Sequence, residues 1–166
     1  MIVLMPIVQL ALAQPEEQTE WVRLEDAHLM FQVPIEWTKY EIEKYDIIQV
    51  LSPDQTTGLV FVSMEDNKAK LILDELEQTV MATIEDINFK GEPKMKYTNG
   101  LPTVVSKGTA VSNDGSLVRL RMWLVINDNK SLLTFGISNI KENKRYERDI
   151  ELITSSIQTF DSESSS

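Results

Sequence analysis

Between residues 95 and 139 the chain is divided by three turn signals, and their spacing restricts the fold more than any other feature of the sequence. Asn99-Gly100 tolerates positive φ at both positions, as a type I′ turn demands, and separates strand-forming runs near Met95 and Val104. Asn113-Asp114-Gly115 turns the chain between Val105–Ser112 and Leu117–Ile126. Asn127-Asp128-Asn129-Lys130 turns it again into Ser131–Asn139. Three successive hairpins of this kind build an antiparallel sheet.

More strands precede them. Trp21–Leu24 and Leu29–Val33 are short, the second stopped by Pro34. Ile47–Leu51 and Gly58–Met64 flank a turn at Ser52-Pro53-Asp54. Leu59-Val60-Phe61-Val62 is apolar on both faces, which suits a strand covered on both sides. The period then changes. Leu73, Leu76, Val80, Ile84 and Ile87 recur at helical spacing and predict a helix over Ala69–Glu85, with Asp66 and Asn67 as candidate N-caps. Tyr146, Ile150, Ile153 and Ile157 predict a second helix over Asn143–Gln158. Segregated strand and helix runs of this order imply an α+β sandwich, an antiparallel sheet with helices packed on it.

The ends read differently. Residues 1–13 have the pattern of a signal peptide: a nearly continuous apolar run to Ala11-Leu12-Ala13, then polar Gln14-Pro15-Glu16-Glu17. No Lys or Arg precedes the run, as such a leader usually has, and the run is too short to span a bilayer. Residues 14–20 read as a polar lead-in, 21–160 as one domain and 161–166 as a disordered tail. The expected location is therefore extracytoplasmic: periplasm, lumen or exterior. The absence of cysteine removes disulfides, thiolate metal sites and a cysteine nucleophile. A net charge of −10 repels phosphate backbones, so nucleic acid is not an expected partner.

Phe31-Gln-Val-Pro-Ile-Glu-Trp37 resembles the F-x-V/I-P-x-x-W opening strand of PsbP-like domains, and Asn99-Gly-Leu-Pro102 resembles their N-G-x-P hairpin. The closing helix before Ile157-Gln-Thr-Phe160 is similar as well, so the resemblance spans roughly residues 21–160. It implies a six- to seven-stranded antiparallel sheet flanked by helices. It also implies binding without chemistry, since the group includes a photosystem II extrinsic protein, a regulator of the GTPase Ran and periplasmic lipoproteins. No functional residue of those proteins matches a position in this chain.

Residue chemistry points the same way. His28 is the only histidine, which rules out a multi-histidine zinc site; an Asp26–His28 pair on one strand face competes with a plain surface histidine. Glu41/Glu43, Glu65/Asp66 and Glu85/Asp86 are candidate acid pairs, but each stands in a polar stretch better read as a charged face. Asp54–Gly58 and Asn113–Gly115 resemble fragments of calcium loops without the downstream Glu, and turn chemistry explains both. No cofactor motif occurs.

One constellation emerges from strand register. A two- or four-residue loop at 127–130 pairs Leu124 with Leu133, Met122 with Phe135 and Leu120 with Ile137, which makes that face the better-buried one. A similar loop at 113–116 pairs Val111 with Val118. The opposite face then carries Arg119, Arg121 and Trp123 in a row. Trp123 would lie between Ser106 and Thr134, Arg121 between Gly108 and Gly136, and Arg119 between Ala110 and Ser138. An open trough of this composition suits carboxylates and an amphipathic anchor. A helix packed over it would instead make Trp123 core and send the arginines out to Glu147 or Glu151. The sequence thus predicts a non-enzymatic domain that binds a protein segment or a small anionic ligand on its sheet face. A carboxylate-only hydrolase and a purely structural accessory subunit are the alternatives.

Overall fold

The three turn signals each close a hairpin in the computed structural model, which describes residues 18–42, 46–65, 84–128, 130–141 and 144–161. Asn99 and Gly100 adopt φ of 48° and 82°, the left-handed pair that a type I′ turn needs. The turn joins β7 (Lys94–Thr98) to β8 (Leu101–Ser112). Strands β9 (Leu117–Asn127) and β10 (Lys130–Asn139) follow. Upstream lie β1 (Thr19–Leu24), β2 (Leu29–Pro34), β3 (Thr38–Ile42), β4 (Ile47–Leu51), β5 (Thr57–Glu65) and β6 (Ile84–Phe89). Helix α1 (Glu147–Ser155) and the two-residue β11 (Gln158–Thr159) end the described chain.

The strands form two antiparallel sheets. The larger has eight strands in the order β3-β4-β5-β10-β9-β8-β6, with β7 also paired to β8. The smaller is β1-β2-β11. This corrects the expected single sheet of six to seven strands flanked by helices: the described residues are mainly β, with one short helix. The polar lead-in also ends earlier than expected, since Thr19 and Glu20 already pair with Pro34 and Val33. Residues 1–13 and 162–166 lie outside the described residues.

Only the end of the expected first helix meets described residues, and there it needs a correction. Residues 69–83 lie outside the described residues, but Ile84 and Glu85 start strand β6. A bulge between Glu85 and Asn88 shifts the register, so Ile84 and Ile87 reach the same cluster although they are three residues apart. A bulged strand thus imitates helical spacing. The second helix is shorter than expected, nine residues, and buries Ile150 and Ile153.

The small sheet and α1 pack on one face of the large sheet. Their shared core runs through Phe31, Trp37, Phe61, Trp123, Val125, Leu132, Tyr146 and Ile153. Phe31 stacks on Phe61 with centroids 3.9 Å apart. Trp37 meets Tyr146 edge-on, and its indole N–H donates to Asp149 Oδ2 at 2.9 Å, so the loop before β3 is anchored to α1. The hairpin turn is anchored there as well. Asn99 Nδ2 donates to the carbonyls of Ser155 (2.9 Å) and Ile157 (2.8 Å), taking up acceptors that the helix C-terminus leaves unsatisfied. Both motifs that carry the family resemblance therefore hold α1 against the sheets.

Candidate functional site: a lysine-rimmed groove beside Trp123

Register decides what surrounds the arginine row. The β9–β10 pairing is as expected: Leu124↔Leu133, Met122↔Phe135 and Leu120↔Ile137. The β8–β9 pairing is one residue away from expectation, with Val111 opposite Leu117 and Ala110 opposite Val118. The cause is the turn. Ser112 N–H donates to the Ser116 carbonyl at 2.9 Å, and Gly115 takes φ 81°, the mark of a three-residue loop closed by a left-handed residue. An odd loop moves every β8 side chain to the other face.

One flank of the trough is therefore as expected and the other is not. On β10, Thr134, Gly136 and Ser138 stand opposite Trp123, Arg121 and Arg119. On β8 the neighbours are Val105, Lys107 and Thr109, not Ser106, Gly108 and Ala110. Gly108 serves another contact: a Cβ there would sit 2.5 Å from the Asn88 carbonyl of β6. The better-buried face is reversed around Trp123, while Val118 and Leu120 on the expected face stay buried in a second cluster with Ile84 and Ala110. Trp123 is 5% exposed and belongs to the main core, whereas Met122, Leu124 and Phe135 are only partly buried. Gly136 lies under the indole, where a Cβ would come within 3.1 Å of Trp123 Cζ3.

Helix α1 covers only part of this face. Beyond it opens a groove of about 720 Å³, with Val105, Arg121 and Trp123 on its floor. Glu147, Ile150, Glu151 and Thr154 of α1 form one wall. Lys90, Lys94, Lys96 and Lys107 are on the opposite side, all exposed. Lys94 and Lys96 reach it because they pair with Val105 and Thr103, which share the Trp123 face. With Glu92, five cations and three carboxylates line the groove, a positive surplus in a chain of net charge −10.

Arg121 is the most enclosed of these charges, its side chain 10% exposed. Its Nη2 donates to both carboxylate oxygens of Glu147, at 2.6 and 2.5 Å. Its Nε is buried without a hydrogen-bond partner. Arg119 is half-buried and does not line the groove. The structure thus brings together Arg121 and Trp123, leaves Arg119 aside and adds four lysines. The sequence signal for three of them was Lys90-Gly-Glu-Pro-Lys-Met-Lys96, a basic run in an acidic chain.

Other candidates resolve into turns. His28 is exposed in the β1–β2 turn, with φ 51°, so Asp26 and His28 do not share a strand face. Asp54 accepts from Ser52 Oγ, Thr56 N–H and Thr56 Oγ1, and from Arg145 across the chain. Burial opposes its ionisation, but the Thr56 and Ser52 donors outweigh that and hold the carboxyl well below the usual carboxylate range. Asp114 accepts from Ser112 Oγ and Ser116 N–H, and these bonds lower it to about 2. Glu85 and Asp86 are exposed on β6; Glu43 and Asp66 lie outside the described residues. Among the described residues no group of three His, Asp or Glu side chains could hold a metal ion, and no helix is long and apolar enough to cross a membrane.

The two-sheet arrangement with a helix beside a hairpin turn defines the chain as a domain of PsbP-like fold. It is similar to cyanobacterial PsbP from Synechocystis sp. PCC 6803, with a TM-score of 0.61 over 87% of this chain and 94% of that one at 10% identity. It is similar also to LpqN, involved in cell envelope biogenesis of Mycobacterium tuberculosis (TM-score 0.58, 13% identity, 87% and 91% covered). The Ran-binding protein Mog1p of Saccharomyces cerevisiae shares the fold too (TM-score 0.53, 9% identity, 87% and 97% covered). At these identities the likeness is one of fold. No family model matches the chain, and no curated protein matches it in sequence.

Proposed function

We propose that this chain is an exported, non-enzymatic binding domain whose groove beside Trp123 takes a carboxylate-rich ligand, either a protein segment or a small anion. The observation that carries the reading is the set of four exposed lysines lining the groove with Arg121 and Trp123 in an otherwise acidic protein. Low-dielectric walls focus such a local field, which attracts anions although the protein as a whole repels them. Mog1p, of the same fold, is by name a binding protein, which agrees with this use of the scaffold. The apolar leader pattern of residues 1–13 supports export.

Hydrolysis by carboxylates fits the groove poorly. Glu92, Glu147 and Glu151 line it, but Glu147 is engaged through both oxygens by Arg121 and is not free to shuttle a proton, and Glu92 stands among the lysines across from Glu151. The test uses two probes, citrate and a hexaglutamate peptide, followed by NMR at the Trp123 indole N–H. Both should shift that resonance at low ionic strength, less at high salt, and not at all in a Lys94→Glu/Lys96→Glu/Lys107→Glu variant. No shift with either probe would refute the reading.

A further inference from the structure

The groove borders a strand with an unused side. Among the described residues β7 pairs with β8 alone, so its other edge presents backbone N–H and C=O groups to no strand. Four of its five residues are exposed. Its two faces differ in chemistry. Lys94 and Lys96 lie on the groove face, opposite Val105 and Thr103, while Met95 and Tyr97 alternate to the other side of the strand, Met95 at the rim where it also borders the groove. Met95 and Tyr97 are 66% and 71% exposed, more than any other large hydrophobic residue described.

We propose that the ligand of this site is an extended acidic peptide that adds to the free edge of β7 as a ninth strand. This rests on the anion-binding reading above and names its occupant. Strand addition supplies main-chain hydrogen bonds for affinity, and alternate side chains supply specificity. A peptide alternating Glu with an apolar residue would set its carboxylates beside Lys94 and Lys96 and its apolar side chains beside Met95 and Tyr97. Side chains directly opposite on neighbouring strands are roughly 4.5–5.5 Å apart at Cβ, close enough for both contacts. Five residues of strand span about 17 Å, so a peptide of five or six residues matches the edge. A second copy of β7 fits worse, because its lysines would stand opposite these lysines and like charges directly opposite destabilise a pair.

The experiment uses the full chain and three fluorescein-labelled probes: Glu-Val-Glu-Val-Glu-Val, the same peptide with alternate backbone N–H groups methylated, and hexaglutamate. Binding is read by fluorescence anisotropy, and β7 amide protection by hydrogen exchange. The expected result is that the alternating peptide binds at least about tenfold more tightly than its methylated form. It should also protect the β7 amides that face away from β8, and it should weaken in Tyr97→Ser while hexaglutamate binding stays unchanged. If all three peptides bind equally and β7 is unprotected, strand addition is overturned and the anion groove stands. If none binds, both readings fall together.

Discussion

Replacing Trp123 by alanine separates a floor residue that is core from one that is mere surface. The indole is 5% exposed and packed within the main cluster of Phe31, Phe61, Leu132 and Ile153. A buried tryptophan removes about 150–250 Å² from water, and at about 25 cal/mol per Å² this corresponds to roughly 4–6 kcal/mol as an upper estimate. The ring also borders the groove, so water can enter part of the space it vacates, and the cavity cost is smaller than in a closed core. The expected loss is therefore about 3–4 kcal/mol, the lower part of the range for large aromatic truncations. Urea denaturation at constant m measures it. Trp21→Ala is the internal control: Trp21 is 46% exposed on β1, and its loss should cost less than about 1 kcal/mol. If Trp123→Ala costs no more than Trp21→Ala, the packing described for the groove floor is wrong.

The Arg121–Glu147 pair should respond asymmetrically. Glu147→Ala strands a nearly buried guanidinium and should cost about 2 kcal/mol, whereas Arg121→Met leaves a carboxylate that is 47% exposed and should cost under about 1 kcal/mol; thermal melts of both variants decide the order. Asp54 and Asp46 should show opposite pH signatures. The Asp54 carboxyl is lowered on folding, so its contribution is present above the unfolded carboxylate pKa of about 3.9 and is lost as pH falls below it. Asp54→Asn should therefore destabilise at pH 7 and flatten the acid limb of a stability–pH profile; an unchanged acid limb would count against the turn chemistry. Asp46 is raised, by burial first and then by the neighbouring Asp26 and Glu25, with the nearby Ser63 and Lys130 opposing. A raised carboxyl favours folding only when protonated, and that advantage disappears as pH rises through its folded pKa. Asp46→Asn should stabilise the protein at pH 7, with the gain vanishing below about pH 4, and its side chain suits the positive φ of 47° at this position.

Much of the large sheet was legible because hairpin turns encode strand pairing locally. Asn99-Gly100 and the turn after Asn127 specify short loops, and pairings such as Leu124↔Leu133 follow by counting. β3 was not legible, since Thr-Lys-Tyr-Glu-Ile is a mostly exposed strand at the sheet edge and shows no buried face. β6 was misread because a bulge gave two inward isoleucines a three-residue spacing. The residues behind the family resemblance, Phe31, Val33, Trp37 and Asn99, are packing and capping residues, so they carried the fold and were silent on the ligand.

The candidate site was half-legible for the same physical reason that parts of the fold were. Trp123 and Arg121 came from the correct β9–β10 register. Lys107 was lost to a single left-handed glycine: Gly115 makes the β8–β9 loop odd, and the odd loop replaces Gly108 by Lys107 beside Arg121. Register is a parity, so an error of one residue at the turn inverts the chemistry of a whole strand face. The same parity fixes the strand-addition proposal. Lys94 and Lys96 face the groove only because β7 pairs with β8 as Lys94↔Val105, through the two-residue Asn99-Gly100 turn. Inserting one residue after Gly100 would reverse the faces of β7 and turn the lysines away from the groove. That insertion should abolish binding of the alternating peptide if the lysines act through their place in the register. Binding that survives the insertion would show that net charge at this edge suffices, and the alternation of its faces would then play no part.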